Sequence, residues 1–317
     1  MTPIALSASS PPPNAEPPES RDTMRRLRRM AWVCAALVLA ITTLSAWLRL
    51  TKAGIGCTDW PACYGAVWAS AAPTLPASAE PSATVLAVRL THRVLALAAL
   101  VLIVVMLGSA WPPRRHGWRP ALETGALLAV TLGLAVLGAL GAQSPLPAVA
   151  LGNLLGGFAM LALSLRLASG RPVGAQADTR AWLWAVFVLM LLETALGGLA
   201  SASGSLLACD GIGDCWAKAQ GSPAWSALNP WHTPVPGGSA GVHWTHRLGG
   251  WAVLLLAAPL AWRLRAHDGY GAAALLAALA LQAVLGPLMA SAAYPMALVL
   301  AHNALAALML ALPARWL

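Results

Sequence analysis

Thr-His-Arg occurs twice in this chain, each time opening a long apolar run: "VRLTHRVLAL" around His92 and "VHWTHRLGGW" around His246. A third histidine, His302, lies inside another apolar run, about six residues past the turn "SAAYPM", or roughly 9 Å in at helical rise. A polar ring among apolar residues is costly and marks either a function or a hydrogen bond to a neighbouring segment. Neutral imidazole is also a common metal ligand. If the runs are helices, His246 and His302 sit at similar depth on two of them and can face one another. That arrangement suits the two axial positions of a heme iron between the helices of a bundle. For any one of these histidines, a hydrogen bond across a helix interface stays open as the plainer reading.

Aligning "LGNLLGGFAML" with "LAHNALAALML" sets Asn153 where the later segment has His302. An amide is a poor iron ligand, so a heme near His92 has a sixth position that is open, weakly held, or taken by water or substrate. The simpler alternative is that Asn153 hydrogen-bonds between helices. Arg93 and Arg247 follow their histidines; each can fork onto a carboxylate such as a heme propionate or snorkel to lipid phosphate. His243 lies one turn before His246, as a supporting partner or stray ligand, whereas His116, His232 and His267 fall between apolar runs and read as solvated. Glu193, deep in an apolar run, is either functional or protonated and hydrogen-bonded.

Such residues need a scaffold that fixes their depth. The chain has 317 residues, 58% hydrophobic and 10% charged, against roughly 25% charged in soluble proteins. Eight apolar stretches approach the roughly 20 residues that cross a bilayer: 31–49, 85–110, 121–142, 148–167, 181–203, 240–262, 272–291 and 296–314. Ala and Leu dominate them without alternation, which predicts helices rather than barrel strands. The expected fold class is an all-α integral membrane protein with eight transmembrane helices.

The net charge of +9 follows topology and gives no reason to expect nucleic acid. Arg25, Arg26, Arg28 and Arg29 precede the first stretch; Arg114, Arg115 and Arg119, Arg171 and Arg180, and Arg263 and Arg265 fall in alternate loops. The positive-inside rule makes that side cytoplasmic, with both termini there, in a multi-pass protein of the inner (plasma) membrane. The opposite loops carry Cys57 and Cys63 in "GCTDWPACYG" and Cys209 and Cys215 in "ACDGIGDCWA". On an oxidising outer face each pair is expected to form a local disulfide, and zinc-ligand spacing is not evident. Cys34, inside the first stretch, reads as inert packing. The opening "MTPIALSASSPPPNAEPPES" lacks an apolar core and reads as a disordered tail, not a signal peptide.

Matched cysteine pairs, Thr-His-Arg motifs and proline turns indicate an internal duplication. Four spans separate the copies, so they keep one orientation, as in a parallel repeat. The expected organisation is a disordered basic cytoplasmic tail over 1–29, an N-terminal four-helix bundle over 30–168, a cytoplasmic linker over 169–180, and a C-terminal four-helix bundle over 181–317.

The segments "RLTKAGIGCTDWPACYG", "LTHR", "VHWTHRLGG" and "LGPLMASAAYPMALVLAHNALAALML" resemble the heme A synthase family, and the resemblance runs from Met30 to the C-terminus. It implies an oxidoreductase that adds oxygen to a methyl group of heme O, giving heme A for terminal oxidases. It also implies two pseudo-symmetric bundles, each with a histidine pair, the C-terminal pair holding heme b and the N-terminal half taking heme O. Carried over, His246 and His302 ligate the heme b iron and His92 is one N-terminal iron ligand. Heme O synthase and terminal oxidase subunits become candidate partners beside the lipid bilayer. At two positions the chain departs from the family pattern. Where the pattern has Glu, three residues before the N-terminal histidine, this chain has Arg89, and where it has a histidine in the fourth span, this chain has Asn153. A guanidinium stays charged and cannot serve as a base, so the enzyme reading competes with a non-catalytic, heme-b-binding assembly protein. A transporter would want midplane polar residues in both halves, and only Glu193 answers to that.

Overall fold

The computed structural model describes residues 18–52, 82–111, 117–141, 144, 146–170, 177–209, 212–221, 227–234 and 238–317. Among them there is helix and turn but no strand, as Ala- and Leu-rich runs dictate where every backbone group needs a partner within its own segment. The helices are α1 (Pro18–Lys52), α2 (Ala83–Ala110), α3 (Trp118–Gly141), α4 (Pro147–Ser169), α5 (Ala177–Ala202), α6 (Ile212–Gln220), α7 (Ala240–Leu264), α8 (Gly269–Ser291) and α9 (Met296–Ala311). Their ends follow local chemistry. Ser82 and Ser239 accept from the backbone N–H of Val85 and Val242, and Asp268 Oδ1 accepts from Gly271 N at 2.9 Å, each satisfying an otherwise orphaned donor. Pro147 opens α4, and Gly170, at φ +80°, closes it, a backbone region open to glycine at little cost.

Seven helices among the described residues are long and apolar enough to cross a membrane. The difference from the eight expected lies in α7. It spans 25 residues, ample at about 1.5 Å each, but His243, His246 and Arg247 dilute its apolar character. The segment ahead of the first stretch also differs from expectation. Residues 18–29 were expected to belong to a disordered tail, yet α1 already begins at Pro18. Arg is a good helix former and proline is tolerated in a first turn, so the basic stretch continues the helix of the span.

α1 packs on α2 and α4, α2 on α3, and α3 on α4, closing one ring of four helices. In the second ring α5 packs on α7 and α9, α7 on α8, and α8 on α9, with α6 lying against α7. The rings adjoin through α4 with α5, α4 with α9, and α1 with α9. Their shared core includes Leu27, Ile103, Met106, Leu127, Phe158 and Leu161 from the first ring and Leu183, Leu260, Leu264 and Leu275 from the second, in one continuous cluster. Outward faces remain apolar, as Leu90, Val101, Leu122 and Leu255 illustrate, which suits contact with lipid. Association in that medium relies on close packing and small residues. A Cβ on Gly157 would come within 2.6 Å of Thr42 Cγ2, and one on Gly198 within 2.5 Å of Leu154 Cδ2.

Ion pairs staple the end rich in arginine. Glu123 Oε1 accepts from Arg119 Nε at 2.7 Å and Arg166 Nε at 2.8 Å, and Arg166 Nη1 donates to the carbonyl of Ala314 at 3.4 Å. Asp268 pairs with Arg315 at 3.1 Å and accepts from Trp316 Nε1 at 3.2 Å. The C-terminal segment is thereby tied to both rings.

Candidate functional site

The second ring gathers the polar groups of the apolar layer. His246 projects from α7 toward α5, where Glu193 Oε1 lies 2.6 Å from ring Nδ1. That is hydrogen-bond distance, although the N–H does not point squarely at the oxygen and Nδ1 has no aligned partner. The side chains are 25% and 13% exposed respectively. Glycines make the approach possible. Gly197 stands one turn after Glu193 on α5, and a Cβ there would come within 2.8 Å of His246 Cε1. Gly249 stands one turn after His246 on α7, and a Cβ there would collide with the Glu193 carboxylate.

His302 reaches in from α9, across the ring from α7. Its centroid lies 6.4 Å from that of His246, with the ring planes at 81°. Gln282 on α8 holds it, its Nε2 lying 3.1 Å from His302 Nε2 and donating to the His302 carbonyl at 3.3 Å. His302 Nδ1 is buried with no hydrogen-bond partner; leaving such an atom unsatisfied costs about 1–3 kcal/mol, and coordination is one way to satisfy an imidazole. A metal–imidazole bond is about 2.0–2.1 Å, so two rings on opposite sides of one metal have centroids roughly 6 Å apart. The observed spacing fits that donor set. His246 and His302 are thus near enough for both imidazoles to reach one metal, with Gly286 beside His302, where a Cβ would stay 3.8 Å from Cε1.

Above this pair, at the Ser239-capped end of α7, Cys209 and Cys215 form a disulfide, the expected local bridge. His243 is 5% exposed, with Nδ1 3.6 Å from Cys209 Sγ. Its Nε2 accepts from Arg247 Nε at 3.3 Å. Arg247, expected to reach a propionate or lipid phosphate, has its Nε directed at this imidazole because the two residues are four apart on one helix. The two sulfurs and His243 lie close enough for a metal, but sulfurs bonded to each other are not thiolate ligands. Trp216 packs on Trp244, centroids 5.4 Å apart, closing the α6 side.

In the first ring His92 on α2 and Asn153 on α4 are half-buried, while Arg89 and Arg93 are exposed. Cys57, Cys63 and His116 lie outside the described residues. Cys34 is a buried free thiol 3.5 Å from Ser164 Oγ. His232 and His267 are exposed, as their loop positions predict. The rings also meet in a polar contact that the sequence does not announce: Arg49 Nη2 donates to Asn303 Oδ1 at 3.4 Å, next to His302. Nor does the sequence name the partner of Glu193; the available signal is glycine one turn after both Glu193 and His246.

The family model described as cytochrome oxidase assembly protein matches residues 28–313 of the chain. The chain is also 28% identical over 312 residues to a heme A synthase of Shewanella oneidensis, covering 88% of this chain and 92% of that one.

Proposed function

The chain belongs to the cytochrome oxidase assembly protein family, and from that membership we propose a heme A synthase-type oxidoreductase that oxidises a methyl group of heme O. The observation that carries the reading is the His246–His302 pair, 6.4 Å between centroids at the centre of the second ring. In this reading the C-terminal half binds heme b through those two imidazoles, and the N-terminal half receives heme O at His92. Bound heme b supplies a one-electron redox centre. The remaining work belongs to the chain. Two imidazoles from helices across a ring would hold the cofactor between them, Gln282 orients His302, and the apolar walls exclude water. Arg93 faces outward beside His92, where its fork suits a propionate.

Eight spans are proposed, with α7 as the sixth, the two rings being pseudo-symmetric bundles over 30–168 and 181–317. The matching order of packed neighbours supports that organisation. By the positive-inside rule the arginine-rich ends support a topology with both termini in the cytoplasm and the cysteine loops outside a plasma membrane. Heme O synthase and terminal oxidase subunits are the proposed protein partners, for delivery of the substrate and use of the product.

A second reading, a heme-b-holding assembly protein without turnover, is favoured by two residues. Arg89 cannot accept a proton, and Asn153 gives iron no imidazole opposite His92. The deciding experiment is co-expression with a source of heme O in a host lacking heme A synthase, followed by extraction of the pigments. Heme A in the extract establishes the enzyme; heme b and unconverted heme O establish the holder.

A further inference from the structure

We propose that Glu193 is the positioning residue for His246, holding the imidazole from its Nδ1 side so that Nε2 is turned toward the heme iron. The proposal rests on the reading that His246 and His302 hold heme b, and adds to it a residue on a third helix.

Two independent features of the interface carry it. The carboxylate is 2.6 Å from Nδ1 on a side chain 13% exposed. A buried acid inside an apolar layer is expensive unless a specific partner compensates it, and the described residues offer Oε2 no hydrogen bond. His246 is the polar group that Glu193 meets. The second feature is reciprocal: each helix provides a socket for the other's side chain. Gly197 of α5 leaves room for the His246 ring, and Gly249 of α7 leaves room for the carboxylate, with Gly250 alongside, where a Cβ would stay 3.6 Å from Oε1. In either socket a methyl group would displace the pair.

A ligating imidazole that gives its second nitrogen to a carboxylate is fixed in tautomer and orientation and becomes a stronger donor to the metal. A stronger donor favours the oxidised iron. Glu193 therefore sets both how firmly heme b is retained and where its reduction potential lies. His302 has an amide neighbour in place of an acid, so the two imidazoles would hold the iron unequally.

The test uses the full-length protein purified with its heme, comparing wild type with Glu193→Gln, Glu193→Ala and Gly249→Ala by redox titration and heme content. Glu193→Gln should retain low-spin heme with a reduction potential shifted to a more positive value. Glu193→Ala should add a loss in heme retention of about tenfold or more, and Gly249→Ala should shift the potential in the same direction by dislodging the carboxylate. A helix-packing role alone would leave the potential of Glu193→Gln at the wild-type value, and that result overturns the proposal. His246→Ala separates the two levels. If it keeps wild-type heme content and spectrum, the heme site itself is wrong and Glu193 falls with it. If it loses heme while all Glu193 variants match wild type, the site stands and Glu193 alone is refuted.

Discussion

In the C-terminal ring α5 presents Glu193 to His246 and α9 sets His302 opposite. In the N-terminal ring α1 has no acidic residue after Asp22, and its mid-span hydroxyls, Thr42 and Thr43, turn back to the carbonyl of Leu39 at 2.9 and 2.8 Å. There the close approach is steric, Thr42 against Gly157, where the second ring makes a polar one. Both rings use the same order of packed neighbours. In the function proposed above, a few side chains therefore decide which ring is equipped for a cofactor.

Removing His246 or His302 gives the largest expected effect. Either His→Ala change should cut heme b content about tenfold or more, by extension from the losses seen when a metal centre is disturbed, whereas His92→Ala should keep most of it. Extracted pigment spectra measure all three, and equal losses would erase the distinction between the rings. The next effect comes from re-equipping the first ring. Arg89→Glu combined with Asn153→His should raise heme A yield several-fold in a host lacking its own synthase, if those positions are what the first ring lacks. An unchanged yield would place the deficit elsewhere.

The similar depth of His246 and His302 was legible in the sequence because depth follows directly from helical rise: each stands six residues past the first residue of its helix, Ala240 and Met296, whatever the rotation of the helices. Rotation was not legible. Glu193, Gly197, Gly249 and Gln282 lie in runs that are apolar nearly all round, so periodicity does not tell an inward face from a lipid-facing one. Arg247 shows a different limit. Its sequence position allowed a propionate, a lipid phosphate or the histidine four residues earlier, and only the packing of α6 against α7 placed His243 beside the disulfide. The helix over 18–29 was missed because the Pro- and Ser-rich composition ahead of it masked a run of good helix formers.

Smaller effects sharpen the comparison at its edges. Breaking the Cys209–Cys215 bridge with Cys209→Ser should cost about 2 kcal/mol for so short a loop, read as a lower thermal unfolding temperature of the heme-loaded protein. Mass spectrometry after thiol blocking without reductant should find Cys209–Cys215 and Cys57–Cys63 each bridged locally, leaving Cys34 as the free thiol. A Cys57–Cys209 crosslink would show instead that the two outer loops are joined. The smallest change is Glu123→Gln, which loosens Arg119 and Arg166 at a partly exposed site. It should lower stability by under about 1 kcal/mol and leave heme content untouched.

The weak hydropathy of α7 reaches back to the moment the chain is made. A helix near 20 residues enters the bilayer when its summed transfer energy is favourable, and an arginine opposes entry, by up to about 2.5–3.5 kcal/mol at the centre and by less toward an end. α7 carries Arg247, His243 and His246 in its first third, and among the described residues it is the long helix that is not apolar enough to cross a membrane on composition alone. α5 emerges from the ribosome before it, bringing Glu193 and the Gly197 socket into the membrane ahead of the histidine they receive. Insertion of α7 is therefore expected to lean on α5, and a substitution on α5 that spoils the socket should lower the share of chains that acquire the correct topology.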